Sequence, residues 1–287
     1  MESEPSDGGS RGGFQALTPA FSCGLRLDER SPPLRKHCKL CAEMCSECVN
    51  GCRKAALAMH GEQTGRKGCA MTDYQQLRDR MVDRQIARRG IRDPRLLAAM
   101  RAVPRERFVR EGLEDHAYED CALPIEEEQT ISQPYIVAAM LEAAEIGPQS
   151  RVLEVGAGSG YAAALLGQLA QRVFAIERHE ALGRLAERRM AALGFANVEI
   201  RIGDGTRGLP EEAPFDAILV AAAAPAVPQA LRQQLKIGGH LIIPVGASGR
   251  QRLCKVTRQG EDRYVEHDLG AVMFVPLIGE QGWREDG

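Results

Sequence analysis

The sequence predicts an α/β fold with a mostly parallel sheet and an antiparallel edge. Between residues 151 and 245, short apolar runs alternate with helical patterns, as in βαβ units whose parallel sheet is covered on both faces. A glycine-rich turn at 156–160 joins the first of these strands to a helix. After residue 250, two runs of strand-forming residues flank Gly260, and this pattern is typical of a hairpin that adds antiparallel strands.

The elements of this domain are predicted in chain order. Three helices come first, over 74–89, from Asp93 and Pro94 onward, and over 134–144; proline suits the first position of a helix. The alternating part then gives strands at 151–155, 172–177, 198–202, 215–221 and 240–245, and helices at 161–169, 182–193 and 228–235. Gly238 and Gly239 are expected to form the turn before the last of these strands. The tail is predicted as strands at 253–258, 264–268 and 272–277.

The chain divides into three predicted parts. Residues 1–36 are rich in Gly, Ser, Pro and charged residues, which is typical of a flexible leader. Residues 37–69 contain a cysteine-rich helical pattern and then a glycine-containing linker. Residues 70–287 carry the continuous globular pattern and form the main domain. We expect this domain to be monomeric.

The composition excludes several classes of protein. The chain has 287 residues, of which 44% are hydrophobic and 26% charged, so it is neither collagen-like nor wholly disordered. A net charge of -2 gives no basic field for nucleic acid. There is no apolar run of about 18 residues, and the polar opening lacks the features of a secretory signal. We therefore expect a cytoplasmic protein without nucleic-acid or membrane partners.

The glycine-rich turn has two acidic companions. Glu154 lies two residues before Gly156, and Glu177 ends the next strand, where a carboxylate can accept hydrogen bonds from a ribose diol. The third glycine, Gly160, comes one residue earlier than in the dinucleotide pattern. A turn that binds no nucleotide, with two incidental surface glutamates, is the alternative.

Asp204 follows the third strand of the alternating part and is placed to accept a hydrogen bond from an adenine amino group. Acidic residues on three strands suit a nucleoside that carries an ammonium and a sulfonium better than a polyanion. This pattern points to S-adenosylmethionine as the cofactor. The alternative for Asp204 is a turn formed with Gly205, which is a common use of this residue pair.

A resemblance to a known family covers residues 71–277. It is carried by AVPRERFV (102–109), ALPI (122–125), QTISQPY (129–135), VLEVGAGSGY (152–161), GDG (203–205), APFDAI (213–218), QLKIGG (234–239), IPVG (243–246) and FVPL (274–277). With these motifs in this order, the sequence resembles the protein-L-isoaspartate (D-aspartate) O-methyltransferase family. The QTISQP segment is much more specific to this family than the glycine-rich turn, which many methyltransferases share.

The resemblance implies a class I, Rossmann-like fold that uses S-adenosylmethionine. It implies methyl transfer to the free α-carboxylate of L-isoaspartyl and D-aspartyl residues in damaged proteins or peptides, which starts repair through a succinimide. By this resemblance Ser132 is the active-site serine, and Gln129, Thr130 and Ile131 bind substrate beside it. Cofactor contacts are expected at Glu154, Gly156, Ala157, Gly158, Glu177, Asp204 and Gly205. Without the resemblance, Ser132 would be interpreted as the cap of the helix that opens at Pro134.

One departure from the family pattern lies beside the expected substrate site. Many members have glycine where this chain has Glu126 and Glu128, so three consecutive glutamates precede Gln129. Carboxylates that point inward would repel an anionic substrate, and we therefore expect them to face solvent. If they alter specificity, the alternative function is a carboxyl methyltransferase with a different acceptor.

A cysteine stripe lies outside the family pattern. On a helix, its five members fall within an arc of roughly 80°; they are Cys38, Cys41, Cys45, Cys48 and Cys52. The run resembles one helix of the cysteine-rich four-helix copper-storage proteins, and soft thiolates favour Cu(I) or zinc. An iron–sulfur site and a small apolar packing face without a metal are the alternatives. A metal-binding or redox-sensing protein with a vestigial catalytic domain is accordingly a further hypothesis for the function.

Overall fold

A seven-stranded sheet forms the centre of the computed structural model, which describes residues 72–285. The strand order is β5-β4-β3-β6-β7-β8-β9, and a separate two-stranded pair, β1 and β2, precedes it in the chain. The strands are β1 Leu123–Pro124, β2 Thr130–Ile131, β3 Arg151–Val155, β4 Arg172–Glu177, β5 Val198–Ile202, β6 Phe215–Val220, β7 Leu235–Val245, β8 Gln251–Arg258 and β9 Tyr264–Val272.

Six α-helices accompany these strands within residues 72–285. They are α1 Tyr74–Met81, α2 Pro94–Ala102, α3 Pro134–Ala143, α4 Tyr161–Leu169, α5 Glu180–Ala192 and α6 Gln229–Gln233. Asp73 and Asp93 cap α1 and α2 through their side chains, and Pro94 occupies the first position of α2 as predicted. The helix predicted over 74–89 is α-helical only to Met81, because the chain continues as a π-helical turn and then a 3₁₀ turn.

The parallel part of the sheet creates the crevice that positions the site. β3 pairs in parallel with β4 on one side and with β6 on the other, so the direction in which strands are added reverses at β3. Ligands of open α/β sheets bind at such a switch point, beside the carboxyl ends of the strands. Two hydrophobic clusters pack against the sheet and hold these strand ends in place.

The antiparallel edge is confirmed, with two differences from its predicted form. β7 pairs antiparallel with β8, and β8 with β9. Gly238 and Gly239 are not a turn between elements; they lie inside β7, opposite a register shift in β6. A side chain at Gly239 would meet the backbone oxygen of Asp216 at 2.9 Å, so the close approach of two strands explains this glycine. The strand predicted over 272–277 is also wrong, because β9 ends at Val272.

The cysteine stripe of residues 38–52 and the leader lie outside the described residues. Within residues 72–285, no three His, Cys, Asp or Glu side chains are arranged to hold a metal ion. The metal prediction and the three-part division therefore stay predictions. In the same described part of the chain, no helix combines the length and apolar character that crossing a membrane would need.

Candidate active site

The glycine-rich turn leads from β3 into α4 with a backbone that favours glycine. Gly156, Gly158 and Gly160 have φ angles of 87°, 52° and 87°, in the left-handed region. The backbone N–H groups of Gly156 and Ala157 both donate to the Ile176 oxygen of β4, at 2.8 and 3.1 Å. The turn is thereby fixed against the neighbouring strand, and the Ser159 hydroxyl accepts a hydrogen bond from the Tyr161 N–H, the first of α4, at 3.4 Å.

Glu177 connects the end of β4 to this turn. It is only 4% exposed, and its Oε2 accepts a hydrogen bond from the Gly158 N–H at 2.8 Å. Its Oε1 accepts one from the His179 N–H at 3.0 Å. Each carboxylate oxygen has a second acceptor position, so the side chain can hold the turn and still accept from a ligand.

Glu154 is a buried carboxyl without a cation beside it. It lies on β3, is 2% exposed, and its Oε2 has no hydrogen-bond partner among the described residues. Burial, and then the negative charge of Glu177, raise the pKa of Glu154 well above its usual range. A ligand that brings a positive charge would satisfy this group.

A cavity of about 570 Å³ opens beside these residues, at the carboxyl ends of the central strands. This size is ordinary for the site of a small molecule. Glu154, the residues 156–159 of the turn and Glu177 line part of it, which we call the cofactor end. Residues 129–132 line the same cavity, and we call them the acceptor segment.

The acceptor segment is supported from outside the cavity. Thr130 and Ile131 form β2, which pairs with β1. The Ser132 backbone oxygen accepts a hydrogen bond from Arg105 Nη2 at 2.8 Å, and Gln133 Nε2 donates to the backbone oxygen of Asp120 at 3.0 Å.

The interpretation of Ser132 as a helix cap is wrong. The residue at the cap position of α3 is Gln133, and no side chain makes a capping hydrogen bond there. The Ser132 hydroxyl is therefore not used to cap α3.

The three glutamates that precede the acceptor segment differ from one another. Glu127 and Glu128 are exposed, as expected, and both lie at the border of the cavity. Their φ angles of 54° and 57° are left-handed, which is costly for a residue with a side chain. Glu126 departs from the expectation, because it is half-buried and its Oε2 is shielded from solvent without a hydrogen-bond partner.

Asp204 does not line the cavity, although its neighbour Gly205 does. Its Oδ1 accepts hydrogen bonds from the Thr206 backbone N–H at 2.9 Å and hydroxyl at 2.7 Å, and its Oδ2 accepts from the Glu280 N–H at 2.8 Å. Burial would raise the pKa of Asp204, but these hydrogen bonds hold it below its usual value. Asp204 thus anchors the C-terminal segment, and its contact with the cofactor stays a prediction.

Several residues of the cavity wall were not predicted from the sequence. Residues 274–278 line it, yet the FVPL motif that contains most of them suggested no role. Arg178 and His179 also line it, and their position directly after Glu177 was the available signal. Arg105 does not line it, and only the fold reveals its contact with Ser132.

Comparisons with known proteins agree with this geometry. The family model of protein-L-isoaspartate (D-aspartate) O-methyltransferase matches residues 76–282. Protein-L-isoaspartate O-methyltransferase 2 of Pelobacter propionicus is 56% identical over 207 residues, which are 72% of this chain and 92% of that protein. The protein-L-isoaspartate O-methyltransferase of Brucella anthropi is 50% identical over 216 residues, 75% of this chain and 99% of the other.

Solved structures give the same result. One protein-L-isoaspartate O-methyltransferase superposes with a TM-score of 0.66 and 29% identity, over 71% of this chain and 67% of the other. A Plasmodium falciparum protein described as a protein-L-isoaspartate O-methyltransferase, solved in complex with S-adenosyl-L-homocysteine, has a TM-score of 0.61 and 27% identity, over 70% and 98% of the two chains.

The matches span most of the curated relatives and include the predicted cofactor and acceptor residues of the cavity. They favour an active enzyme over a metal-binding protein with a vestigial catalytic domain. The chain belongs to the protein-L-isoaspartate (D-aspartate) O-methyltransferase family, and it is an S-adenosylmethionine-dependent enzyme that methylates isoaspartyl residues for the repair of damaged proteins.

Proposed function

We propose that the cavity holds S-adenosylmethionine at its cofactor end and the α-carboxylate of an isoaspartyl residue at Ser132. One observation carries this proposal: Ser132 and the two buried glutamates line the same cavity. A methyl donor and its acceptor must meet within a few ångströms, and one continuous space allows that.

The residues of the cofactor end fit S-adenosylmethionine. Glu177 would accept hydrogen bonds from the ribose hydroxyls while it holds the turn. Glu154 would compensate the positive charge of the cofactor, because its own burial leaves it without a cation. Gly156 and Gly158 line the cavity without side chains, so a ligand could approach their backbone closely. Contacts with Ala157, Gly205 and Asp204 belong to the same proposal.

The acceptor needs alignment more than it needs a base. The α-carboxylate is already ionised near neutral pH, since its unperturbed pKa lies about three units lower. S-adenosylmethionine supplies a methyl group on a cationic sulfur: a carboxylate oxygen forms the new C–O bond while the C–S bond breaks and its electron pair stays on sulfur. Ser132 would donate a hydrogen bond that orients this carboxylate and adds no competing charge. Gln129, Thr130 and Ile131 would form the surrounding wall.

The product explains how methylation leads to repair. Methoxide leaves a methyl ester far more readily than oxide leaves a carboxylate, so the following backbone nitrogen can attack the ester carbonyl, form the C–N bond of a succinimide and release methanol with its own proton. Hydrolysis of the succinimide gives normal aspartate in part, and repeated cycles raise that share. D-aspartyl residues enter the same cycle. The substrates are thus damaged proteins or peptides, and a monomeric cytoplasmic enzyme suits them.

Replacement of Ser132 tests the proposed role of its hydroxyl. Ser132→Ala should lower kcat about 10- to 100-fold, because the bound carboxylate would no longer be held in line with the methyl group. The Kd of S-adenosylhomocysteine should stay within about twofold, because the cofactor end is unchanged. Steady-state kinetics with an isoaspartyl peptide and calorimetry measure the two effects.

Ser150→Ala is the matched control. The Ser150 hydroxyl lies outside the cavity and accepts a hydrogen bond from the Gly147 N–H at 2.9 Å, so its loss should affect stability and leave kcat unchanged. Equal losses of turnover and cofactor affinity in Ser132→Ala would refute the role given to Ser132.

A further inference from the structure

Arg105 is the largest completely buried side chain of the described residues. It follows Pro104 and begins a 3₁₀ turn, Arg105–Arg107. Arginine is almost never fully buried unless an acidic group pairs with it, since a buried charge without a partner costs several kcal/mol. The surroundings of this guanidinium therefore need an explanation.

Two carbonyl groups and a tyrosine ring surround the guanidinium. Nε donates to the Ala117 oxygen at 2.8 Å, and Nη2 donates to the Ser132 oxygen at 2.8 Å. The guanidinium carbon lies 4.7 Å from the centre of the Tyr161 ring, which is a cation–π contact. Nη1 is buried without a well-formed hydrogen bond.

No carboxylate of the described residues forms an ion pair with Arg105. The adjacent Glu106 pairs with Arg78 at 3.1 Å and accepts a hydrogen bond from the Tyr118 hydroxyl. Burial lowers the pKa of Arg105, but a guanidinium remains charged near neutral pH. A neutral side chain would satisfy the two carbonyls without this cost, so the charge requires another purpose.

That purpose lies on the other side of the Ser132 peptide. Ser132 lines the cavity, and so does Tyr161, which the guanidinium also contacts. Arg178 lines the cavity, but its guanidinium is already ion-paired with Glu285. We infer that Arg105 is a positioning residue that fixes the Ser132 backbone and supplies the buried positive charge that selects a carboxylate acceptor. This inference rests on the role proposed for Ser132 and deepens it.

The inference predicts a particular kinetic signature. Methyl transfer removes the negative charge of the acceptor, so a nearby cation stabilises the bound carboxylate at least as much as the transition state. Loss of the charge should therefore raise KM for the isoaspartyl peptide more than it lowers kcat. Loss of a residue that only stabilised the fold would instead weaken the binding of the isoaspartyl peptide and of S-adenosylmethionine together.

The test compares two peptides that differ in one group. The enzyme, loaded with S-adenosylhomocysteine, is titrated with an isoaspartyl peptide that has a free α-carboxylate and with its α-carboxamide twin. The natural enzyme should prefer the carboxylate by about tenfold or more. Arg105→Gln should reduce this preference to within about threefold, and Arg105→Lys should restore most of it. The Kd of S-adenosylhomocysteine should not change.

Arg78→Gln is the matched control. It removes another buried guanidinium, 6% exposed and ion-paired, and should lower stability while the peptide preference stays. An undiminished preference in Arg105→Gln would overturn the inference. This outcome would leave the Ser132 proposal untouched, because that proposal is tested separately by the kcat of the Ser132→Ala variant.

A measurement on the natural protein covers the case in which Arg105→Gln does not fold. Attraction by an exposed cation is screened as salt rises from about 20 to about 500 mM, whereas attraction by a buried charge is screened much less. The carboxylate preference should therefore persist at high salt. Its loss at high salt would assign the selection to exposed cations and overturn the inference.

Discussion

The two ends of the cavity are supported in different ways. At the cofactor end, the supports belong to the parallel sheet: the turn binds β4 through its own backbone, and Glu177 at the end of β4 accepts a hydrogen bond from the Gly158 N–H. At the acceptor segment, the supports come from elsewhere. These supports lie outside the seven-stranded sheet: Arg105, in a 3₁₀ turn, donates to the Ser132 oxygen, and Gln133 donates to the Asp120 oxygen.

This difference shows which constraints each end must satisfy. A cofactor with a fixed shape can be bound by the regular ends of parallel strands, which the hydrophobic core fixes. A peptide acceptor needs an open border, which short strands and turns provide. Side-chain hydrogen bonds then replace the missing regular structure, and a buried charge is tolerated for this purpose.

The largest effect is expected at Glu177, and its absence would contradict the support described for the cofactor end. Glu177→Ala removes two charge-assisted hydrogen bonds to backbone N–H groups and the acceptor for the ribose, so the Kd of S-adenosylhomocysteine should rise about hundredfold or more. Calorimetry measures it. Glu180→Ala, on the exposed start of α5, is the control and should bind normally. Binding within about threefold in Glu177→Ala would mean that the turn does not depend on its carboxylate.

A smaller effect is expected at Glu154, where one substitution should raise stability and lower cofactor affinity. A carboxyl with a higher pKa in the folded than in the unfolded chain binds more protons when folded, so its burial costs stability as pH rises above about 4.3. Glu154→Gln should therefore stabilise the ligand-free protein by about 1–3 kcal/mol near pH 7.5, and the gain should vanish below about pH 4. Cofactor affinity should fall about tenfold.

Denaturation in urea across this pH range checks the first effect, and calorimetry checks the second. If Glu154→Gln were less stable than the natural protein at pH 7.5, the carboxylate would have a stabilising partner. The ligand-free cofactor end would then not contain a destabilising buried carboxylate for the cofactor to compensate.

The smallest effect is expected at the border of the acceptor segment. Glu128 has a left-handed backbone and is exposed, so Glu128→Gly should stabilise the protein by about 1 kcal/mol. The same substitution at exposed Glu187, inside α5, should destabilise it by about the same amount. Thermal unfolding compares the two. A loss of stability in Glu128→Gly would show that contacts of this side chain outweigh the backbone cost.

The same division decides what could be predicted from the sequence. The alternating part was predicted well because hydrophobic periodicity and the residues that end helices and strands are local signals. β3, β4, β5 and α4 begin and end at the predicted residues. Glu154 and Glu177 were found because they adjoin the ends of these strands. Gly238 and Gly239 were misread because turns and bulges use the same residue.

The acceptor segment could not be derived in this way. Nothing in the residues around Ser132 distinguishes a substrate contact from a helix cap, and only the family resemblance chose between them. Arg105 lies in a conspicuous motif, but its burial and its contact with Ser132 depend on how distant segments pack. Asp204 also has a role that the sequence does not reveal, because its Oδ2 accepts a hydrogen bond from the N–H of the distant Glu280.

One structure determination tests the central claim most directly, that cofactor and acceptor meet in a single cavity. The enzyme should be crystallised with S-adenosylhomocysteine and an isoaspartyl peptide together. The ribose should lie at Glu177, and the peptide's α-carboxylate should lie within hydrogen-bond distance of the Ser132 hydroxyl, facing the sulfur. A ligand bound away from Glu177, or a carboxylate that does not reach Ser132, would contradict the account.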